Sequence, residues 1–380
     1  MLRRLLSPFV LVLTTILALV YAYLATRLAS GAPALAGLAI PFVLVWLVPV
    51  VYWVGERDRD SLADEALHFA SYLSMGWLNF AFFLSVGRDL ALIVCAATGL
   101  DRTHLYLAAY GPELVLGGSI VMLAAGAAAA LRGPRVRRVD IPIEGLDARL
   151  EGVRIVQISD LHVGQSIGRR YVARVARMAN ELSPDLMALT GDFVDGPVAR
   201  LAGEIAPLAA LQAPGGVFFI TGNHEYYSGA DEWIGHFRAL GWRVLLNAHE
   251  VVAIRGARLL VGGVVDPAAR MTKGAVNVPR ADLAAGKEED AAARILLAHN
   301  PKLAPLGAAA GFDLQLSGHT HAGQFFPWTL AVRMIHAPHA AGLSREGRMW
   351  VYVSAGTGSW GPPVRLGTEP ELTLIRLVRA

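Results

Sequence analysis

The chain has 380 residues, room for two domains of ordinary size, and its 54% hydrophobic content is high for a purely soluble protein. A formal net charge of +3, from basic residues that lack aromatic interleaving, argues against nucleic acid as a specific partner. The single cysteine, Cys95, excludes a disulfide framework or thiolate metal cluster within one chain, so any metal must be held by nitrogen and oxygen.

Hydrophobicity is concentrated at the start. Residues 1–131 hold four apolar runs, at 5–28, 33–54, 66–86 and 112–131, each about as long as a ~30 Å hydrocarbon core requires. They predict an all-α transmembrane region of about four helices, with the lipid bilayer as a partner. The shorter run Arg88–Leu100, RDLALIVCAATGL, is consistent with an extension of the third helix, an interfacial segment or a re-entrant one. With four spans, Arg3, Arg4, Arg57, Arg59, Arg132, Arg135, Arg137 and Arg138 share one side, against Arg27, Arg88 and Arg102 on the other. The positive-inside rule then predicts a multi-pass inner (plasma) membrane protein with both ends in the cytoplasm. A secretory or twin-arginine signal at Arg3-Arg4 is the competing reading, and the twin-arginine route would put the C-terminal region outside. The stretch RGPRVRRVD, Arg132–Asp140, reads as part of a basic linker over 132–150.

From 151 to 380 the composition is that of a globular domain. VRIVQIS, DLMALT and GVFFIT read as strands, separated by the amphipathic RRYVARVARMANEL and by ARLAGEIAPLAALQ. This βαβαβ opening predicts parallel strands with crossover helices, and WRVLL, EVVAI and RLLVGGVV predict added antiparallel neighbours. RILLAH, DLQLSG, MWVYVSAG and ELTLIRLV complete the set. Polar clusters follow five of these strands: SDLH, TGD, TGNHE, AHN and SGHTH. In open α/β sheets ligands bind outside the carboxyl ends of strands, so five such clusters point to one site.

The candidate ligands are Asp160, His162, Asp192, Asn223, His299, His319 and His321. Two carboxylates, one amide and four imidazoles suit borderline divalent ions such as Mn, Fe or Zn. Seven side chains exceed one tetrahedral site but suit two ions, the usual apparatus for hydrolysing phosphate esters. Gly191, Gly222 and Gly318 each precede a ligand, where a missing Cβ permits a sharp turn.

In order, SDLH, GDFVDG, GNHE, LLAHNP and GHTHAGQ resemble the five signature blocks of the calcineurin-like metallophosphoesterases, and the start resembles the bacterial branch with N-terminal transmembrane segments. The resemblance implies a four-layer α/β/β/α sandwich over about 151–380. It also implies two divalent metal ions, one held by Asp160, His162 and His321, the other by Asn223, His299 and His319, with Asp192 bridging. His224 would contact phosphate and protonate or stabilise the leaving oxygen. Ala322 departs from the branch, where a second glycine is common, but touches no expected ligand.

Other residues carry weaker signals. Asp195 and Glu225 are either turn residues or supports for the site. Arg365 is the remaining candidate for a substrate phosphate, with a surface ion pair as its alternative. His68, His104, His236, His249, His336 and His339 read as packing histidines. Phe325, Phe326 and Trp328 follow the last block, either as core or as an aromatic lip at a membrane interface. An anchored enzyme implies a lipid-linked phosphoester or pyrophosphate, and the resemblance extends to relatives that cleave UDP-2,3-diacylglucosamine. The alternatives are a broad-specificity phosphodiesterase or phosphatase acting on envelope polymers or phospholipids, and a non-catalytic membrane scaffold.

Overall fold

A computed structural model describes residues 8–50, 61–164, 166–272, 276–287 and 290–380. They form two compact units, 1–128 with 361–364, and 129–360 with 365–380.

The first unit contains α1 (Pro8–Leu28), α2 (Ala32–Val48), α3 (Leu62–Thr98) and α4 (Asp101–Leu131). Three of these, α1, α3 and α4, are long and apolar enough to cross a membrane; α2 has 17 residues. The run expected at 33–54 continues beyond Val50 into positions outside the described residues. Arg88–Leu100 extends the third helix. Its start is capped by Ser61, which accepts from the Asp64 N–H at 3.2 Å, and its stop is Gly99, whose φ of 71° is left-handed. The fourth helix begins at Asp101, well before the expected 112, with Asp101 at the positive end of the helix dipole and Pro112 accommodated inside. A polar cluster ties α1 to α3: Asp89 accepts from Tyr23 Oη at 2.9 Å and Arg27 Nε at 3.0 Å. Leu19, Ile93, Leu105 and Val121 remain more than half exposed, as lipid-facing side chains would.

The second unit is built on two six-stranded sheets. The first uses β1 (Arg135–Ile143), β2 (Arg154–Ile158), β3 (Leu186–Leu189), β4 (Val217–Phe219), β5 (Arg243–Val244) and β12 (Glu371–Arg379), in the order β1-β12-β2-β3-β4-β5. The second uses β6 (Ala248–Ile254), β7 (Ala257–Gly263), β8 (Ala293–Leu297), β9 (Leu314–Ser317), β10 (Gly342–Glu346) and β11 (Met349–Val353), in the order β10-β11-β9-β8-β7-β6. As expected, β2, β3 and β4 are mutually parallel, and β6 and β7 are antiparallel. WRVLL behaves differently: its two-residue β5 pairs parallel with β4, closing a third βα step at a sheet edge.

The expected linker is also different. Its residues Arg135–Ile143 are β1, which pairs parallel with β12 from Arg135–Glu371 to Ile143–Arg379. The period-2 alternation Val139, Ile141, Ile143 is present in the sequence but lies inside a run of arginines. Ile141 and Ile143 are buried, and that burial makes the segment part of the sheet.

Ile155, Ala188 and Phe218 of the first sheet share one core with Leu259, Ile295 and Leu316 of the second, so the sheets pack face to face. The outer face of the first is covered by α5 (Arg169–Glu181), α6 (Val198–Ile205) and α8 (Ala230–Ala239). Val172, Val175, Ala176 and Ala179 supply the inward stripe of α5 at helical spacing. The outer face of the second is covered by α9 (Ala281–Ala285) and α10 (Ala304–Ala309). These are the four layers of an α/β/β/α sandwich. Two short helices, α7 (Asn223–Tyr227) and α11 (Trp328–Ile335), follow site loops.

Candidate metal centre

Each expected ligand sits just past a parallel strand. Asp160 and His162 follow β2, Asp192 follows β3, and Asn223 and His224 open α7 after β4. His299 follows β8 and His319 and His321 follow β9. The loops of both sheets therefore meet. His162 Nε2 lies 3.0 Å from His321 Nε2 and 3.9 Å from Asp192 Oδ2, and His321 Nε2 lies 3.4 Å from Asp160 Oδ1. Asp192 Oδ2 is also 3.1 Å from His299 Nε2, while His319 Nδ1 is 3.0 Å from Asn223 Oδ1. Two groups of potential metal ligands result, Asp160-His162-His321 and Asp192-His299-His319. Asp192 also belongs to a third, with His162 and His224, which joins them.

The backbone is adapted to this convergence. Asp160, His162, Asp192, His319 and His321 all have positive φ, between 50° and 72°. Such left-handed backbone is uncommon for these residues and concentrates at functional sites. Two glycines are required by close approach. A Cβ on Gly318 would lie 2.1 Å from Asp160 Oδ2, and one on Gly222 would lie 2.2 Å from Asp192 Oδ1. The departure at Ala322 also has a geometric correlate, because its φ is 51°.

The supporting contacts aim ring nitrogens inward. His299 Nδ1 donates to the Thr190 carbonyl at 2.8 Å, which turns Nε2 toward Asp192. That atom is buried 3.1 Å from Asp192 and makes no hydrogen bond among the described residues. Against the effect of burial, the Asp192 charge holds His299 well above the ordinary imidazole range, so without a metal a proton occupies the place that a shared cation would take. Burial and the neighbouring His299 charge pull His319 down to about 3, so His319 keeps a lone pair. Burial alone would raise the Asp192 carboxyl, but His299, His224 and His162 hold it well below the usual range. Asp160 is fixed by Ser159 Oγ at 2.5 Å and by the His319 N–H at 2.8 Å.

Asp195 and Glu225 both support the site. Asp195 Oδ1 is 2.9 Å from His162 Nδ1 and 2.7 Å from His224 Nδ1, so one carboxylate orients both imidazoles. Against the effect of burial, those two imidazoles keep the Asp195 carboxyl low. In the opposite sense, burial and the Asp192 charge push Glu225 up to about 7. Its oxygens accept from the Asp192, Phe193 and Gly222 N–H groups at 2.9, 2.7 and 2.7 Å, cross-linking two site loops.

Arg365 is not where a substrate contact would be. It is 1% exposed, and NH1 donates to the carbonyls of His321 at 3.0 Å and Ala355 at 2.7 Å. NH2 donates to the Gly358 carbonyl at 2.5 Å and lies 3.1 Å from His321 Nδ1. The guanidinium is a buried clamp on the loop of His319 and His321, and burial pulls it down to about 10.

Several neighbours had no sequence signal. His336 packs edge-on to His319 with centroids 5.8 Å apart, and the buried Asp266 is close enough for its charge to interact with His299 and Asp192. Tyr227 and Trp360 pack against His224, at 5.3 and 5.9 Å between ring centroids. Of the aromatic run, Phe325 is buried, whereas Phe326 and Trp328 are about half exposed.

The calcineurin-like phosphoesterase pattern matches residues 153–323. A zebrafish (Danio rerio) protein named "Transmembrane protein with metallophosphoesterase domain" is 36% identical over 68% of this chain and 61% of its own length. A metallophosphoesterase of Campylobacter jejuni is 28% identical over 88% of both chains, and one of Aquifex aeolicus is 33% identical over 64% of this chain and 91% of its own. The chain spans between 57% and 66% of the length of its zebrafish, nematode and bovine relatives. The ordered site loops and these matches together establish that the chain belongs to the calcineurin-like metallophosphoesterase family.

Proposed function

We propose that the protein is a membrane-associated, metal-dependent phosphoesterase. The observation that carries this reading is Asp192, whose carboxylate lies between two histidine-rich ligand groups and beside His224. Asp160, His162 and His321 would hold one divalent cation, and Asn223, His299 and His319 the other, with Asp192 shared. Cations there would supply Lewis acidity and a water of lowered pKa. The chain's own contribution is orientation and proton supply. Asp195 occupies His224 Nδ1, leaving Nε2 to serve the departing oxygen of a phosphoester. Asp192 Oδ1 accepts from the His224 N–H at 2.8 Å, fixing that histidine relative to the ligands.

The same reading extends to the substrate. Membrane-long helices in the chain favour a lipid-linked phosphoester or pyrophosphate, with UDP-2,3-diacylglucosamine as the specific substrate to assay. Purified full-length protein, supplied in turn with Mn, Fe, Co and Zn, should hydrolyse chromogenic phosphodiesters, and Asp192→Ala should abolish turnover. His224→Ala should lower kcat about 10²–10⁴-fold while metal binding persists. Good turnover of simple diesters without release of UMP from UDP-2,3-diacylglucosamine would favour a broad-specificity enzyme. No turnover with any metal would favour a scaffold.

A further inference from the structure

Tyr227 and Trp360 are large aromatics left 59% and 53% exposed against His224. Single exposed aromatics are ordinary on a protein surface. What distinguishes Trp360 is how firmly it is held. The Gln324 side chain spans 36 positions to grip its backbone at both polar groups. Oε1 accepts from the Trp360 N–H at 2.9 Å and Nε2 donates to the Trp360 carbonyl at 2.9 Å. Gln324 is itself buried, with a φ of 57°, and its carbonyl accepts from the Leu366 N–H at 3.2 Å and Thr368 Oγ1 at 2.5 Å. It is also the last residue of GHTHAGQ, the loop that carries His319 and His321. The loop of His319 and His321 thus continues into a fixture that holds the backbone from which the exposed Trp360 indole reaches His224.

The rings stand at 63° and 76° to the imidazole, so neither is stacked on it. Their exposed surface remains available to a ligand. A group beside His224 meets the part of the substrate that departs, because that histidine serves the leaving oxygen.

We infer that Tyr227 and Trp360 form an aromatic subsite for a leaving group that carries a flat ring. This rests on the phosphoesterase reading and adds a specificity to it. Stacking of a ring on such a side chain is worth about tenfold in binding.

The test uses the full chain in lipid nanodiscs with manganese and three methyl phosphodiesters of similar leaving-alcohol acidity: n-propyl, 3-cyclohexylpropyl and 3-phenylpropyl. The phenyl ester should have a kcat/KM about tenfold above the propyl and clearly above the cyclohexyl ester. Trp360→Ala should erase that preference, Trp360→Phe should retain most of it, and Gln324→Met should weaken it by freeing the indole. Hydrolysis of all three esters without a phenyl preference, or a preference untouched by Trp360→Ala, overturns the subsite alone. A cyclohexyl ester equal to the phenyl one overturns the flat-ring requirement. Absence of hydrolysis of all three esters by a preparation that turns over chromogenic phosphodiesters or UDP-2,3-diacylglucosamine overturns the subsite alone; absence of turnover of all of these overturns the phosphoesterase reading and the subsite with it.

Discussion

At the scale of single residues, the site divides into groups whose type announced them and groups whose surroundings define them. The seven expected ligands could be named because each follows a strand and three of them, Asp192, Asn223 and His319, directly follow a glycine, a pattern that few structural needs produce together. Arg365 was not legible in this way. A sequence reports its charge but not its burial, and the three backbone carbonyls that hold it belong to loops around 321, 355 and 358. This placement makes a measurable distinction. Arg365→Lys loses the planar fork and should weaken metal binding about 10–100-fold in a competitive chelator titration, because support of a ligand is removed. A substrate-contacting arginine would instead raise KM and leave metal affinity unchanged. The tether between Gln324 and Trp360 was likewise hidden, since nothing local links residues 36 positions apart.

At the scale of elements, the parallel strands and their crossover helices follow directly from apolar runs of the right length. The start of the second unit does not. Arginines in β1 obscured its alternation, and only its pairing with β12 reveals that Ile141 and Ile143 are core residues. β12 lies between β1 and β2, so removing β1 would leave a long strand edge unpaired. A soluble fragment covering 132–380 should be recovered as a monomer, whereas one covering 145–380 should aggregate. Size-exclusion chromatography of the two distinguishes this from a linker role, for which both fragments would behave alike. The helix α3 carries the complementary lesson: Arg88–Leu100 was open to three readings, and the pairing of Asp89 with Arg27 and Tyr23 lets the helix continue through it.

At the scale of the whole molecule, four crossings, with α2 as the shortest, and the distribution of arginine together predict that the phosphoesterase unit faces the cytoplasm. A phosphatase reporter fused after Ala380 should be inactive in the periplasm assay, and a fluorescent reporter fused there should be bright. The reverse pair of results would place the unit outside and remove cytoplasmic lipid precursors from its reach. Function by itself was readable as a reaction class, since hydrolytic chemistry is encoded in side-chain type, while substrate choice depends on surfaces assembled from distant loops. One feature couples the chemistry to the thermodynamics of the entire fold. Five of the expected ligands adopt left-handed backbone at roughly 1–2 kcal/mol each, a total on the order of the net stability of a domain. Glycine would relieve that burden at every one of these positions and would forfeit a donor each time. Laboratory evolution that rewards heat resistance alone should therefore drift toward sturdier, inactive variants at these sites, and keeping the donors demands that activity be screened alongside melting temperature.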